Sequence, residues 1–251
     1  MKAIKFIFVA LLAMSLASCK KETTNTPKPP VTVPVEFPAT IYTFLGTFDS
    51  LGKPDYLLPK DPISANLFSF LNSILTDGRD LRTFRPELLS NPEIADIEIS
   101  QPSEVFITFL RQGAEQTNAL GFYTYATNNP PTTAKDLKVI AYVFPNAGKL
   151  TPLRAGDKVK IGNFEAGTSI GFVLLQSAWS PATGTLNNKS IHYCSTDALN
   201  PEVSPALKKH AVLFKYAPET KIIVSFEDSD RTHPNCDNDF NDVEFYCTIT
   251  V

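Results

Sequence analysis

The sequence predicts a mainly β protein, an antiparallel β-sandwich of which the jelly roll is one form, with a single amphipathic helix over about residues 62–76. Three observations predict it. Ten short runs rich in β-branched and aromatic residues are separated by turn residues, the spacing of a sandwich. Proline (20) outnumbers glycine (11), which favours extended segments and fixed turns. Only one segment carries an apolar stripe at helical period.

The strand candidates are 41–48, 104–111, 120–126, 137–144, 157–163, 169–177, 189–194, 210–216, 221–227 and 242–251. The helix reads from Asp61 as N-cap, with Pro62 at the first helical position. Ile63, Leu67, Phe70, Leu71 and Ile74 then share one face, and Gly78 is the expected stop. In the last strand Val243, Phe245, Cys247, Ile249 and Val251 alternate with Glu244, Tyr246, Thr248 and Thr250, so Cys247 is expected in the core. The lone Trp179 follows an apolar strand and reads as core. No repeat of 20–50 residues is visible, which argues against a solenoid or propeller.

The chain has 251 residues, 43% of them hydrophobic and 20% charged, enough for one globular domain with a sizeable core. That composition excludes disorder throughout. Lys+Arg 23 against Asp+Glu 26 leaves no surplus to neutralise phosphates, so no nucleic-acid partner is expected. Apolar runs of about 18 residues, needed several times over for a multi-span membrane protein, do not occur.

Residues 1–18 read as a signal peptide: Met1-Lys2-Ala3-Ile4-Lys5 supplies positive charge, and an apolar stretch and small residues follow. Leu16-Ala17-Ser18-Cys19 resembles the lipobox of bacterial lipoproteins, in which Cys19 would be acylated and hold the protein on a bilayer. An ordinary secretory signal is the alternative. Lys20-Lys21-Glu22 resembles the export tag of surface-exposed lipoproteins. Residues 19–38, with Pro27, Pro29, Pro30, Pro34 and Pro38, read as an extended tether, leaving 39–251 as the β domain. The expected location is the cell envelope, lipid-anchored to the outer membrane and facing either the periplasm or the exterior. Five of the 23 basic and one of the 26 acidic residues lie in the first thirty positions, so the remainder is acidic, near −7.

The segment 227–244 holds seven carboxylates and a single arginine. Carboxylates this dense repel one another unless a cation compensates. Asp237, Asp239 and Asn241 stand at i, i+2 and i+4, as in the first half of a calcium loop, and Glu227, Asp228 and Asp242 add oxygens from the ends of the flanking strands. An EF-hand is excluded, because Asp242 and Thr248 occupy the positions of its Gly and Glu. Six oxygen-bearing residues favour calcium over zinc or copper. A solvated acidic turn is the alternative.

These residues also carry a resemblance. Phe226-Glu227-Asp228, Arg231 and Asp237-Asn238-Asp239-Phe240-Asn241-Asp242-Val243 resemble the signature of a bacterial family known as domain of unknown function 4114. Leu45-Gly46-Thr47-Phe48, Gly121-Phe122-Tyr123-Thr124-Tyr125, Gly156-Asp157-Lys158-Val159, Gly167-Thr168-Ser169-Ile170-Gly171-Phe172, Leu199-Asn200-Pro201-Glu202 and His210-Ala211-Val212-Leu213-Phe214 extend the likeness to about 40–251. It implies an exported or surface-attached β-rich domain that binds calcium, with an adhesive setting and no established reaction. Cys236 and the 229–236 insert depart from the short loop usual there.

With Cys247 assigned to the core, Cys194 and Cys236 are the expected disulfide in an oxidising compartment. Cys236–Cys247 pairing and a zinc site of His192, Cys194, His233 and Cys236 are alternatives. No Gly-x-Ser-x-Gly, P-loop or His-Glu-x-x-His motif is present, and no catalytic residue is assigned. The expected role is adhesion or ligand binding without catalysis, toward a glycan or protein. The alternative is a carbohydrate-binding or carbohydrate-processing module with calcium at its site.

Overall fold

The structure, a computed structural model, describes residues 33–251. The signal segment 1–18, Cys19 and the first part of the tether lie outside the described residues. In chain order the elements are β1 (Ile41–Phe44), α1 (Ala65–Ile74), α2 (Leu81–Phe84), α3 (Pro86–Ser90), β2 (Ile97–Ile99), β3 (Ser103–Arg111), β4 (Ala119–Ala126), β5 (Val139–Phe144), β6 (Lys158–Phe164), β7 (Thr168–Leu175), β8 (Trp179–Ser180), β9 (Thr185–Leu186), β10 (His192–Cys194), β11 (Ala211–Tyr216), β12 (Lys221–Phe226) and β13 (Val243–Thr250). Each of the ten expected strands is present.

Two sheets make the body. One runs β1-β5-β4-β7-β10, with β2 also pairing β7; the other runs β11-β12-β13-β3-β6, and β8-β9 form a separate two-stranded ribbon. Every pair is antiparallel except β1 with β5, where Ile41 lies opposite Val139. Antiparallel neighbours can be joined by a tight hairpin, whereas parallel ones need a long connection. Nearly a hundred residues separate β1 from β5, including all three α-helices, so the connection permits the parallel edge.

The inward faces of both sheets close on one apolar layer that includes Ile107, Phe109, Leu120, Phe172, Leu174, Val224, Phe226, Val243, Phe245 and Cys247. Both sheets are also covered outside. On the five-stranded sheet, Val212, Phe214, Tyr216, Ile223 and Tyr246 pack beneath Leu67, Leu71 and Leu75. Strands buried on both faces must be apolar at nearly every position, which accounts for Thr168–Leu175 reading as a continuous rather than alternating run. In β13 the alternation holds: Val243, Phe245 and Cys247 point between the sheets and Tyr246 points to the helix. Trp179 is buried, as expected.

Helix α1 starts later than its sequence signal. Ser64, not Asp61, caps it, and Ser64 Oγ accepts from Leu67 N–H at 3.1 Å. Asp61 is engaged elsewhere: Thr108 Oγ1 (3.0 Å), Tyr246 OH (2.9 Å) and Lys158 Nζ (3.0 Å) all donate to its carboxylate, which ties it to the sheet. The helical stripe is as expected, with Leu67 and Leu71 buried and the Phe70 ring tilted against Tyr216 at 4.9 Å. Among the described residues the helices are too short to cross a membrane.

The folded body also begins before residue 39. Val35 and Phe37 pack on the outer face of the six-stranded sheet, where the Phe37 ring stacks on His192 at 4.4 Å. Phe37 is the one bulky side chain of the proline-rich segment, and burying it outweighs leaving it in an extended spacer.

Candidate functional site

The acidic segment connects β12 to β13 at one end of the sandwich. Both ends of the connection are pinned by backbone: Glu227 N–H donates to His210 O at 2.9 Å, and Asp242 N–H donates to Phe226 O at 3.1 Å. Between them Asn238 (φ 57°) and Phe240 (φ 59°) adopt the left-handed conformation. Asn tolerates this region, but Phe does so at a cost that surrounding structure must over-determine. Here Phe240 is fully buried in the helix-side cluster, and the Arg231 guanidinium lies 5.1 Å from the ring centroid.

The resulting loop gathers five carboxylates into two triads that share one member. Glu227, Asp228 and Asp242 form one; Glu227, Asp237 and Asp239 form the other, with the oxygens of each triad within 4.8 Å of one another. Oxygens on opposite sides of a Ca²⁺ ion, each about 2.3–2.6 Å from it, are no more than about 5 Å apart, so both triads have the spacing of a hard-cation site. Glu227 is 1% exposed; its Oε1 accepts from Ser229 N–H at 3.3 Å, while Oε2 has no hydrogen-bond partner.

Three of the other four carboxylates, Asp228, Asp239 and Asp242, are held in place by donors. Asn118 Nδ2 donates to Asp228 Oδ2 at 2.6 Å, and Asp228 N–H to Asp242 Oδ2 at 2.7 Å. Gly78 N–H donates to Asp239 Oδ2 at 2.7 Å, and Asn241 N–H to Asp239 Oδ1 at 3.0 Å. These donors fix positions without supplying charge. Burial, followed by repulsion from Asp237 and Asp228, pushes Glu227 above the usual carboxylate range; burial and the charges of Asp228 and Glu227 do the same to Asp242. Asp228 and Asp239 are raised as well, chiefly by burial. A divalent cation would reverse that preference for the protonated forms.

The five carboxylates among the six expected ligands therefore converge. Asn241 lies against them, its Nδ2 donating to Asp239 Oδ2 at 2.7 Å and to Asp77 Oδ1 at 3.4 Å. The Cys194–Cys236 disulfide is also corrected: Cys194, Cys236 and Cys247 are all free, buried thiols. The reason is strand alternation. Tyr193, the neighbour of Cys194 in β10, faces the acidic end and stacks on His210 at 3.9 Å, which turns Cys194 into the opposite, outer cluster with Val173 and Leu199. Cys236 lies against Glu227, and burial pushes its thiol well up. The zinc alternative does not assemble either, since His192 is locked between Tyr42 OH and Ser190 O, both at 2.7 Å.

A buried pair beside the loop carries more than its sequence suggested. His210 Nε2 and Glu202 Oε1 are 2.8 Å apart with both side chains fully buried, and His210 Nδ1 lies 3.0 Å from Glu227 O. A carbonyl oxygen only accepts, so Nδ1 carries a proton. The contact at Nε2 needs a second proton, on the ring or on Glu202. His210 thus links Glu202 to the backbone of the shared carboxylate Glu227. Sequence placed His210 in a strand, and nothing in the spacing marked Glu202 as its partner. Arg231 completes the surroundings: Nε donates to Asn238 Oδ1 and Nη1 to Lys209 O, both at 2.8 Å.

Residues 164–250 match the family described as Domain of unknown function (DUF4114). The match spans the end of β6 to the end of β13 and contains the whole acidic loop, the His210–Glu202 pair and Arg231; it is shorter than the resemblance over about 40–251. No curated protein and no solved structure matches the chain significantly.

Proposed function

We propose that the protein is a calcium-binding β-sandwich of the cell envelope, lipid-anchored to the outer membrane through Cys19, that serves adhesion or ligand binding without catalysis. The observation that carries the calcium reading is Glu227: a carboxylate 1% exposed, with an oxygen that has no hydrogen-bond partner, common to two carboxylate triads. An ionised group so placed is costly unless paired or coordinating a metal. The oxygen-only ligand set favours a hard cation, and the unequal, carboxylate-rich geometry suits calcium better than magnesium, which demands a near-ideal octahedron. The ion would tie β12 and β13 to the segment after α1 and present a stiffened loop at one end of the sandwich. The lipobox at Leu16-Ala17-Ser18-Cys19 and the proline-rich segment support the anchored location.

The test is a thermal melt of the purified full chain after chelation, repeated with calcium and with magnesium. An ion bound only by the native state at 100 times its Kd stabilises by about 2.7 kcal/mol, roughly 5–10 °C for a domain of this size. A calcium-specific rise is expected, and identical melts would leave the loop a solvated turn. A calorimetric saccharide titration of the calcium-loaded protein separates a structural ion from a glycan-orienting one, since only the latter gives sugar-dependent heat.

A further inference from the structure

We propose that the acidic loop binds two divalent cations, bridged by Glu227. The inference rests on the calcium reading and adds its stoichiometry. The five carboxylates divide into two triads, Glu227 with Asp228 and Asp242, and Glu227 with Asp237 and Asp239. One ion drawing on a single triad would leave the other pair of carboxylates close together and uncompensated. A carboxylate has two oxygens and can place one on each of two metals. Glu227 is the member common to both triads, and its Oε2 is buried without a hydrogen-bond partner.

Charge points the same way. Five ionised carboxylates carry five negative charges; two divalent cations offset four, and the fifth is matched by Arg231, a 2% exposed guanidinium whose charge acts on Glu227. With one cation the same region would hold an uncompensated charge of two in a largely buried setting. The two positions are not equivalent. In the first triad Glu227 and Asp228 are buried and Asp242 is half-buried, and Asn118 and the Asp228 backbone hold Asp228 and Asp242. The second triad opens to solvent at Asp237, which is exposed. The outer ion should therefore exchange faster and bind more weakly than the inner one.

The experiment is equilibrium dialysis of the chelated full chain against calcium chloride, with bound metal measured by elemental analysis, on wild type, Asp237→Asn and Asp228→Asn. Asp237 is exposed, so its substitution leaves the fold intact even if Asp228→Asn does not fold. Two ions per wild-type chain at saturation, falling to one in Asp237→Asn, is the expected result. One ion in wild type overturns the bridged pair and leaves the calcium reading standing; none overturns both. Two ions retained by Asp237→Asn would place the second cation elsewhere and equally overturn the proposal.

Discussion

Gly78 donates its backbone N–H to Asp239 Oδ2 at 2.7 Å, joining the turn after α1 to the acidic loop across 161 residues of sequence. A second link lies beside it, from Leu81 N–H to Asn238 O at 2.9 Å. The helix that covers the five-stranded sheet and the loop that gathers the carboxylates are therefore one unit, and whatever stabilises the loop also holds the end of α1.

Gly78 has φ +67°, and a Cβ there would meet no atom within 4 Å. Gly78→Ala should cost about 1–2 kcal/mol through backbone strain alone. If the strained turn shifts, Asp239 loses its donor, so calcium affinity should fall as well. Gly78→Asn, which tolerates the left-handed region, should restore most of both. Melts of the three proteins with and without calcium read the two effects separately.

The raised carboxylates give a pH dependence of unusual sign. Glu227 and Asp242 in the folded protein hold their protons above the unfolded range near 4. The folded state then binds more protons than the unfolded one, so stability falls as pH rises through the folded values. Glu244, buried beside Arg111 and pushed up to about 7 mainly by desolvation, acts in the same direction. The chelated protein should lose stability from about pH 4.5 upward, through about 7 for Glu227 and Glu244 and on to about 10 for Asp242, and saturating calcium should remove the part of that loss due to Glu227 and Asp242. Denaturant midpoints across this range provide the check, and calcium binding near pH 7 should release protons.

Breaking the buried His210–Glu202 pair by His210→Ala should cost about 3–5 kcal/mol, because it leaves a fully buried carboxyl without its partner. The measurement is the urea midpoint. In wild type, nitrogen-detected NMR should show Nδ1 carrying a proton, as its contact with Glu227 O requires.

Much of this architecture is legible in the sequence because alternation and helical period are local signals. The stripe of Leu67, Phe70 and Leu71 and the two faces of β13 follow from spacing alone. The acidic loop is legible for a related reason: Asp237 and Asp239 are close in sequence, and Glu227 and Asp228 stand at the end of the adjoining strand. What stays hidden depends on distant partners. Asp61 looks like a helix cap until Thr108, Tyr246 and Lys158 engage it. Glu202 is ordinary until β11 brings His210 to it. Cys194 and Cys236 look like a pair until the pleat of β10 sends Cys194 to the far side of its sheet. The short strands β2, β8 and β9 carry too little pattern to be seen.

The thiol assignment is open to direct chemistry. Denaturing the protein without reductant in the presence of an alkylating reagent should label Cys194, Cys236 and Cys247, each resolved by peptide mass spectrometry. Recovery of a peptide joining Cys194 to Cys236 would restore the disulfide and require β10 to turn over.

Anomalous scattering from crystals grown with calcium tests whether the 227–242 loop is a calcium centre. Calcium peaks are expected between the carboxylates of Glu227, Asp228 and Asp242 and between those of Glu227, Asp237 and Asp239. Water or no density at both positions, with the carboxylates hydrogen-bonded to one another, would contradict the calcium reading.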